Sequence, residues 1–343
     1  MKNCLYILYI GLLGILISSC QQSLEEVQLK SAKAQVAFTV AMNDLDSRSR
    51  SSWENNDKMA ETDEGTVDEN QIDLNSEAGL QVFVYDVNGN LLGKVANKEI
   101  FKLSDNTYKF NGELFVENLQ SEILECCLMV YANCTASIDT FAYDTQYIPM
   151  WGVKKTILNL SKGELTDINE PVYLLRSMAK VEVKLDQLIA EDFDLTSVCI
   201  DKYNMIGNVL PAYETLLDVE YMDQQAVFNP TTHLADDSLS FKQIPGEDAF
   251  FIYLPEYDNS NPATVTVIID DKSYAIEFKN YVAGKPSGNP YNIVRNHCYQ
   301  YTITSVNTNI DVILEDLSYQ SIPWQDVNNG GLIFGDENGD VMN

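Results

Sequence analysis

Histidine is almost missing from this chain: His233 and His297 are the two in 343 residues. An imidazole-ligated metal centre or a His-based catalytic triad needs more partners than these supply. Basic residues are scarce too. Lys and Arg number 22 against 51 Asp and Glu, for a formal net charge of -29. Repulsion at that charge opposes nucleic acid and adsorption to anionic lipid. It suits solubility at high surface density better than an acidic binding site. No P-loop, dinucleotide fingerprint or nucleophile elbow occurs. Carboxylates are abundant, but none stands out as a glycosidase pair. Asp86-Val87-Asn88-Gly89-Asn90 and Asp336-Glu337-Asn338-Gly339-Asp340 lack the Glu that closes a calcium loop and read as turns. The residues therefore lead us to expect no metal, no cofactor and no catalysis.

Long apolar runs are also absent, with one exception. Leu5 to Ile17 follows the basic Lys2 and stops at Ser18-Ser19-Cys20. The run is too short to span a bilayer stably and has the form of an export signal, residues 1–19. Small residues directly before a cysteine form a bacterial lipobox, in which Cys20 is acylated and becomes the new N-terminus. Two or three acyl chains would hold the mature chain on an outer-membrane face. Residues 21–34 read as a polar tether.

Five cysteines lie beyond Cys20: Cys126, Cys127, Cys134, Cys199 and Cys298. Their spacing fits no disulfide framework or zinc site. Cys126 and Cys127 are adjacent in an apolar strand, so they face opposite ways and are poorly placed to bond to each other. Buried small hydrophobe is the favoured reading, with Cys127–Cys134 and Cys199–Cys298 bridges left open.

Helical periodicity is weak everywhere. Residues 117–125 and 186–195 are the best short helix candidates. Strand patterns dominate. Gln35 to Met42 alternates, with Val36, Phe38, Val40 and Met42 on one face. Residues 43–78 are acidic and Ser/Asn-rich, and they read as a loop or linker. Arg48 and Arg50 in that linker form an accessible site for a trypsin-like protease. From Leu80 the strands follow in series. Asn88-Gly89 signals a tight hairpin in which both residues take positive φ. Further strands are expected at 106–110, 124–132, 155–160, 171–174, 177–185, 198–206, 226–228, 249–254, 264–269, 274–278, 299–305 and 310–314. Short strands separated by turn residues indicate all-β sandwiches, and the chain has the length of roughly two domains, divided near Arg176.

Three segments resemble the fimbrillins of the Bacteroidetes. Arg176-Ser177-Met178-Ala179-Lys180-Val181 is similar to an Arg-x-x-Ala-Lys-Val segment of that family. Phe250 to Glu256 ends an apolar strand in Pro255-Glu256. Val294-Arg295-Asn296-His297-Cys298-Tyr299-Gln300-Tyr301-Thr302-Ile303 matches a strand entry. Pro323-Trp324 and the lipobox complete the likeness. The resemblance implies two transthyretin-like β-sandwich domains in tandem, 51–175 and 176–343, and assembly into a type V pilus. It also implies a propeptide, 20–50, whose strand is removed by an arginine-specific surface protease at Arg48 or Arg50. A strand from another copy or a related subunit then fills the vacated groove. The donor is expected within 310–335, where Ile310, Val312, Leu314, Leu332, Ile333 and Phe334 are the candidates. Alternatives are a lipid-anchored base or tip protein of the same family, or a surface lipoprotein that binds glycans through Tyr143, Tyr147, Trp151, Tyr213 and Tyr221.

Overall fold

The computed structural model describes residues 30–42, 71–76, 78–104, 106–119, 123–135, 139–160, 165–211, 228–307 and 309–318. Among them every regular element is a strand. In the first half these are β1 (Lys30–Met42), β2 (Leu80–Asp86), β3 (Leu91–Ser104), β4 (Thr107–Leu119), β5 (Ile123–Ala132), β6 (Thr140–Ala142), β7 (Met150–Asn159) and β8 (Leu165–Arg176). Then come β9 (Ala179–Leu185), β10 (Leu195–Ile200), β11 (Ile206–Asn208), β12 (Leu239–Ser240), β13 (Lys242–Gln243) and β14 (Ala249–Leu254). The last are β15 (Thr264–Ile269), β16 (Lys272–Glu277), β17 (Asn280–Val282), β18 (Lys285–Ser287), β19 (His297–Val306) and β20 (Ile310–Ser318).

Of the strands up to β8, all but β6 join in the order β1-β4-β3-β2-β5-β7-β8, and β8 returns to β1. Two strands turn the corners. β3 pairs with β2 near its start and with β4 from Val95 onward. β8 pairs with β1 over Leu165 to Leu174, and with β7 only at Leu175 and Arg176. The seven strands thus form a closed barrel. Gly152 lets the corner form, since a Cβ there would sit 2.3 Å from the Tyr173 carbonyl oxygen. Alternation explains the inner face: Tyr108, Phe110, Leu114 and Val116 of β4 are buried in the core with Leu80, Val82 and Val84 of β2.

β5 differs because it is buried on both faces. Cys126, Leu128 and Val130 enter the inner core, while Cys127, Met129 and Tyr131 pack outside with Trp151, Val153 and Val209. The two adjacent cysteines do face opposite ways. Cys126, Cys127, Cys134, Cys199 and Cys298 all remain thiols, four of them buried. Burial pushes the Cys126 and Cys134 thiols up to about 12, which leaves no reactive thiolate at either position.

The second half has a sheet β13-β14-β9-β19-β20 and a sheet β12-β10-β15-β16, with a core between them. β9 and β19 run parallel, from Cys298 beside Lys180 to Ile303 beside Leu185. Ser177 and Met178 connect the halves, and the β6–β11 ribbon joins them again.

Several local expectations fail. Neither helix forms. Residues 117–119 end β4, and 123–125 begin β5, paired with β7. Asp186 starts only a short turn, its carbonyl accepting the N–H groups of Ile189 and Ala190, before Leu195 enters β10. At Asn88-Gly89 only Gly89 has positive φ. The Asp86 carboxylate accepts the N–H groups of Asn88 and Asn90 and opens a longer loop. The Asn90 side-chain amide also donates to that carboxylate at 2.8 Å, and this bond, ahead of the two backbone ones, holds the Asp86 carboxyl below its usual range. Two-residue hairpins with both φ positive occur instead at Asp270-Asp271, between β15 and β16, and at Ala283-Gly284, between β17 and β18. The expected strand 198–206 divides into β10 and β11, and Phe228 lies in no strand.

Candidate functional site

The candidate site is the place occupied by β1. Its first physical feature is alternation: Val36, Phe38, Val40 and Met42 point inward and are all buried. Phe38 stacks on Phe110 of β4 with ring centroids 4.8 Å apart. Val36 and Val40 lie within the same cluster as Leu80, Leu128 and Leu174. Ile72 lies in that cluster as well.

Backbone pairing is the second feature. β1 runs antiparallel to β4, from Lys30 opposite Leu119 to Ala41 opposite Thr107. On its other side it runs parallel to β8, with Gln35 beside Leu165 and Met42 beside Leu174. A bulge at Phe38/Val40 takes up extra residues of β8 around Pro171, which has no N–H for the ladder. The Met42 N–H donates to the Asn106 carbonyl at 2.9 Å and fixes the strand's end. β1 is thus an interior strand. Taking it out would leave a slot with an apolar floor and two rows of unpaired backbone groups, both costly in water.

On the outer face β1 carries polar side chains. Lys33 Nζ lies 2.6 Å from Glu113 Oε1 of β4, and Gln35 Nε2 donates to the same oxygen at 3.2 Å. Lys33 also covers the Phe115 ring at 5.2 Å. Nothing in the sequence distinguishes Glu113, which is one acid among 51 Asp and Glu.

The other expected residues are dispersed. Ile310, Val312 and Leu314 belong to β20, which pairs with β19 at one edge of its sheet; Leu314 is opposite Tyr301 and Val312 is buried. The Val312 N–H donates to the Gly284 carbonyl at 3.0 Å on the other side. Cys20, Arg48, Arg50, Leu332, Ile333 and Phe334 lie outside the described residues, as do Tyr213 and Tyr221. The chain holds only two further arginines, Arg176 and Arg295, and both are buried. Among the described residues, the glycan-stacking candidates do not form a platform. Trp151 is buried, and Tyr143 packs edge-on against Tyr203. Tyr147 is half-buried beside Ile72 and Tyr108 in a cleft of about 220 Å³. Among the described residues no His, Cys, Asp and Glu group is arranged to hold a metal ion. No helix there is long and apolar enough to cross a membrane.

The segments that carry the sequence resemblance meet at the junction of the halves. Glu256 and Arg295 are both buried and lie 2.8 Å apart. Arg295 also donates to the Val209 carbonyl at 2.9 Å, and the Asn229 N–H donates to Glu256 at 3.0 Å. The Asn296 side chain accepts the Arg176 N–H at 3.1 Å. Gln300 donates to Glu182 at 2.7 Å, beside Lys180. Pro255-Glu256 and Arg295-Asn296 are visible in the sequence. Their pairing is not, because 39 residues separate Glu256 from Arg295.

No protein-family model matches the chain, and no curated protein matches its sequence. Among solved structures, it is similar to the tip fimbrial protein Mfa3 of Porphyromonas gingivalis, crystallised with a C-terminal truncation. The TM-score is 0.52 at 11% identity, over 84% of this chain and 100% of that one. The fold is fimbrillin-like. A fimbrial assembly protein of Parabacteroides distasonis follows with TM-score 0.48 and 15% identity, over 84% of this chain and 96% of that one. The fimbrial anchor protein Mfa2 of P. gingivalis has TM-score 0.33 and 9% identity, over 84% and 100%. Of these three, the first alone superposes closely enough to bear on this fimbrillin-like fold, a likeness of backbone path with little shared sequence.

Proposed function

We propose that this chain is a structural, adhesive subunit of a cell-surface fimbria, built by strand replacement. It is exported as an outer-membrane lipoprotein acylated on Cys20. An arginine-specific protease cuts after Arg48 or Arg50, β1 leaves, and a strand from another subunit takes its place. The two halves act as tandem transthyretin-like sandwich domains that meet near Arg176. The role involves no catalysis.

The observation that carries this reading is the position of β1. It is bonded to a neighbour on each side, its apolar face lies within the first core, and it is joined to the rest by the acidic stretch that contains Arg48 and Arg50. Burial of Val36, Phe38, Val40 and Met42 is worth on the order of 6–12 kcal/mol before the entropy of ordering. An incoming strand that alternates in the same way recovers most of that and both ladders, as in β-strand addition. Scarcity of cutting sites supports the processing step, since Arg176 and Arg295 are shielded by the fold.

β20 is already committed to its own sheet, so the donor segment of this chain is best sought beyond Ser318, around Leu332-Ile333-Phe334. The test is direct. Purified full-length chain is treated with an arginine-specific protease, sequenced from its new N-terminus, and run unboiled on a gel alone and with related subunits. We expect a new N-terminus at Ser49 or Ser51 and heat-sensitive multimers. A clipped chain that stays monomeric in every mixture refutes the reading.

A further inference from the structure

We propose that the groove under β1 selects a basic strand from a different subunit and discriminates against the C-terminal tail of a second copy of this chain. The inference rests on the strand-replacement reading above and names the partner's chemistry.

Charge is distributed unevenly along the molecule. The chain carries -29 overall, yet β1 contains Lys30 and Lys33 and no acid. It is a cationic strand in an acidic protein. Its outer face meets carboxylates on both sides. Glu113 of β4 stands opposite Gln35 and binds Lys33 at 2.6 Å. Asp167 of β8 stands opposite Ala37 and is exposed. On β4 the charged neighbour farther along is Lys109, opposite Thr39. The groove is therefore acidic at its Lys33–Ala37 end, with a cation farther in.

When β1 departs, Glu113 loses the Lys33 ammonium and the Gln35 amide together, and Phe115 loses the cation above its ring. A replacement restores these contacts only if it places a Lys or Arg at the outward position of Lys33, alternating with inward apolar residues. Residues 319–343 contain Asp326, Asp336, Glu337 and Asp340 and no Lys, Arg or His. Set into the groove of another copy, that tail restores neither contact with Glu113 and brings like charge to an acidic rim. Opposite charges across a ladder help and like charges directly opposite harm. Between two chains each at -29, long-range repulsion adds to the discrimination. The tail remains free to donate to a groove with a different rim.

The experiment uses the full chain, cut in place by the arginine-specific protease. Fluorescent peptides then compete with the released leader: residues 30–42, the same peptide with Lys33→Glu, and residues 319–343. We expect the first to bind most tightly and Lys33→Glu to weaken it on the order of tenfold. The tail peptide should be weaker by at least that factor. On a Glu113→Lys subunit the preference between the first two should reverse. Equal binding by the tail, or an unchanged preference after the reversal, overturns the inference while leaving strand replacement intact. Failure of the 30–42 peptide to rebind at all overturns strand replacement, and the inference with it. Should Glu113→Lys fold poorly, the unaltered subunit decides: equal binding of the Lys33→Glu and original peptides there also overturns the inference.

Discussion

β1 and β20 are the first and last strands among the described residues, and both combine alternating apolar residues with charged ones. Their situations differ. β1 has a neighbour on each side and gives Val36, Phe38, Val40 and Met42 to the core of the first half. β20 has β19 on one side and a single bond to Gly284 on the other, and it gives Val312 to the core of the second half. A strand that will be exchanged must leave a hole that another strand can fill, and an interior position makes such a hole. An edge strand leaves only a shortened sheet. Under the proposed strand replacement, the comparison therefore favours β1 as the strand replaced and argues against β20 as the strand given away.

The largest difference should come from a buried charge. Val40 is fully buried, whereas Ile313 is 51% exposed. Val40→Asp places a carboxylate in the inner core and should cost more than about 4 kcal/mol, enough to unfold the first half. Ile313→Asp should stay within about 0.5 kcal/mol. Urea denaturation of both variants checks the pair, and similar midpoints would erase the distinction between the strands.

Truncation in the core sharpens it further. Phe38→Ala removes the ring stacked on Phe110 and should cost about 3–5 kcal/mol. Val312→Ala removes two methyl groups at the sheet's edge and should cost about 1–2 kcal/mol. A reversed order in denaturation would place the critical strand at the other end of the chain.

How much of this is legible from residues follows from how local each signal is. The inward set of β1 can be read because alternation is a property of neighbours in sequence. Its interior position cannot, because β4 and β8 are distant in the chain and one of them runs parallel. The shielding of Arg176 and Arg295 cannot be read from composition, because it depends on distant strands that fold over them. The expected helix at 117–125 gives way because pairing of β5 with β7 outweighs local propensity. The hairpin at Asn88-Gly89 changes type because the Asp86 carboxylate captures two N–H groups of the loop. Glu256 and Arg295 stand out in the sequence only as parts of a resemblance. The fold alone gives them a physical role, which is to satisfy buried charge where the two halves meet.

The smallest expected effect is a pattern. Successive amides of an interior strand point alternately to its two neighbours. In β1 the odd and even amides therefore both have partners, on β4 or on β8. In β20 one set bonds to β19 and the other faces outward, apart from Val312. Hydrogen exchange of the uncut chain should show continuous protection over 33–42, broken only near the bulge. Over 310–318 it should show protection at every second residue, with Val312 as an added slow site. This contrast requires no substitution, so neither strand's packing is disturbed. Alternating protection in β1 would mean that one of its two ladders opens readily in the native chain. β1 would then be a poorly held edge, and the proposed cleavage would have little stored free energy to release into assembly.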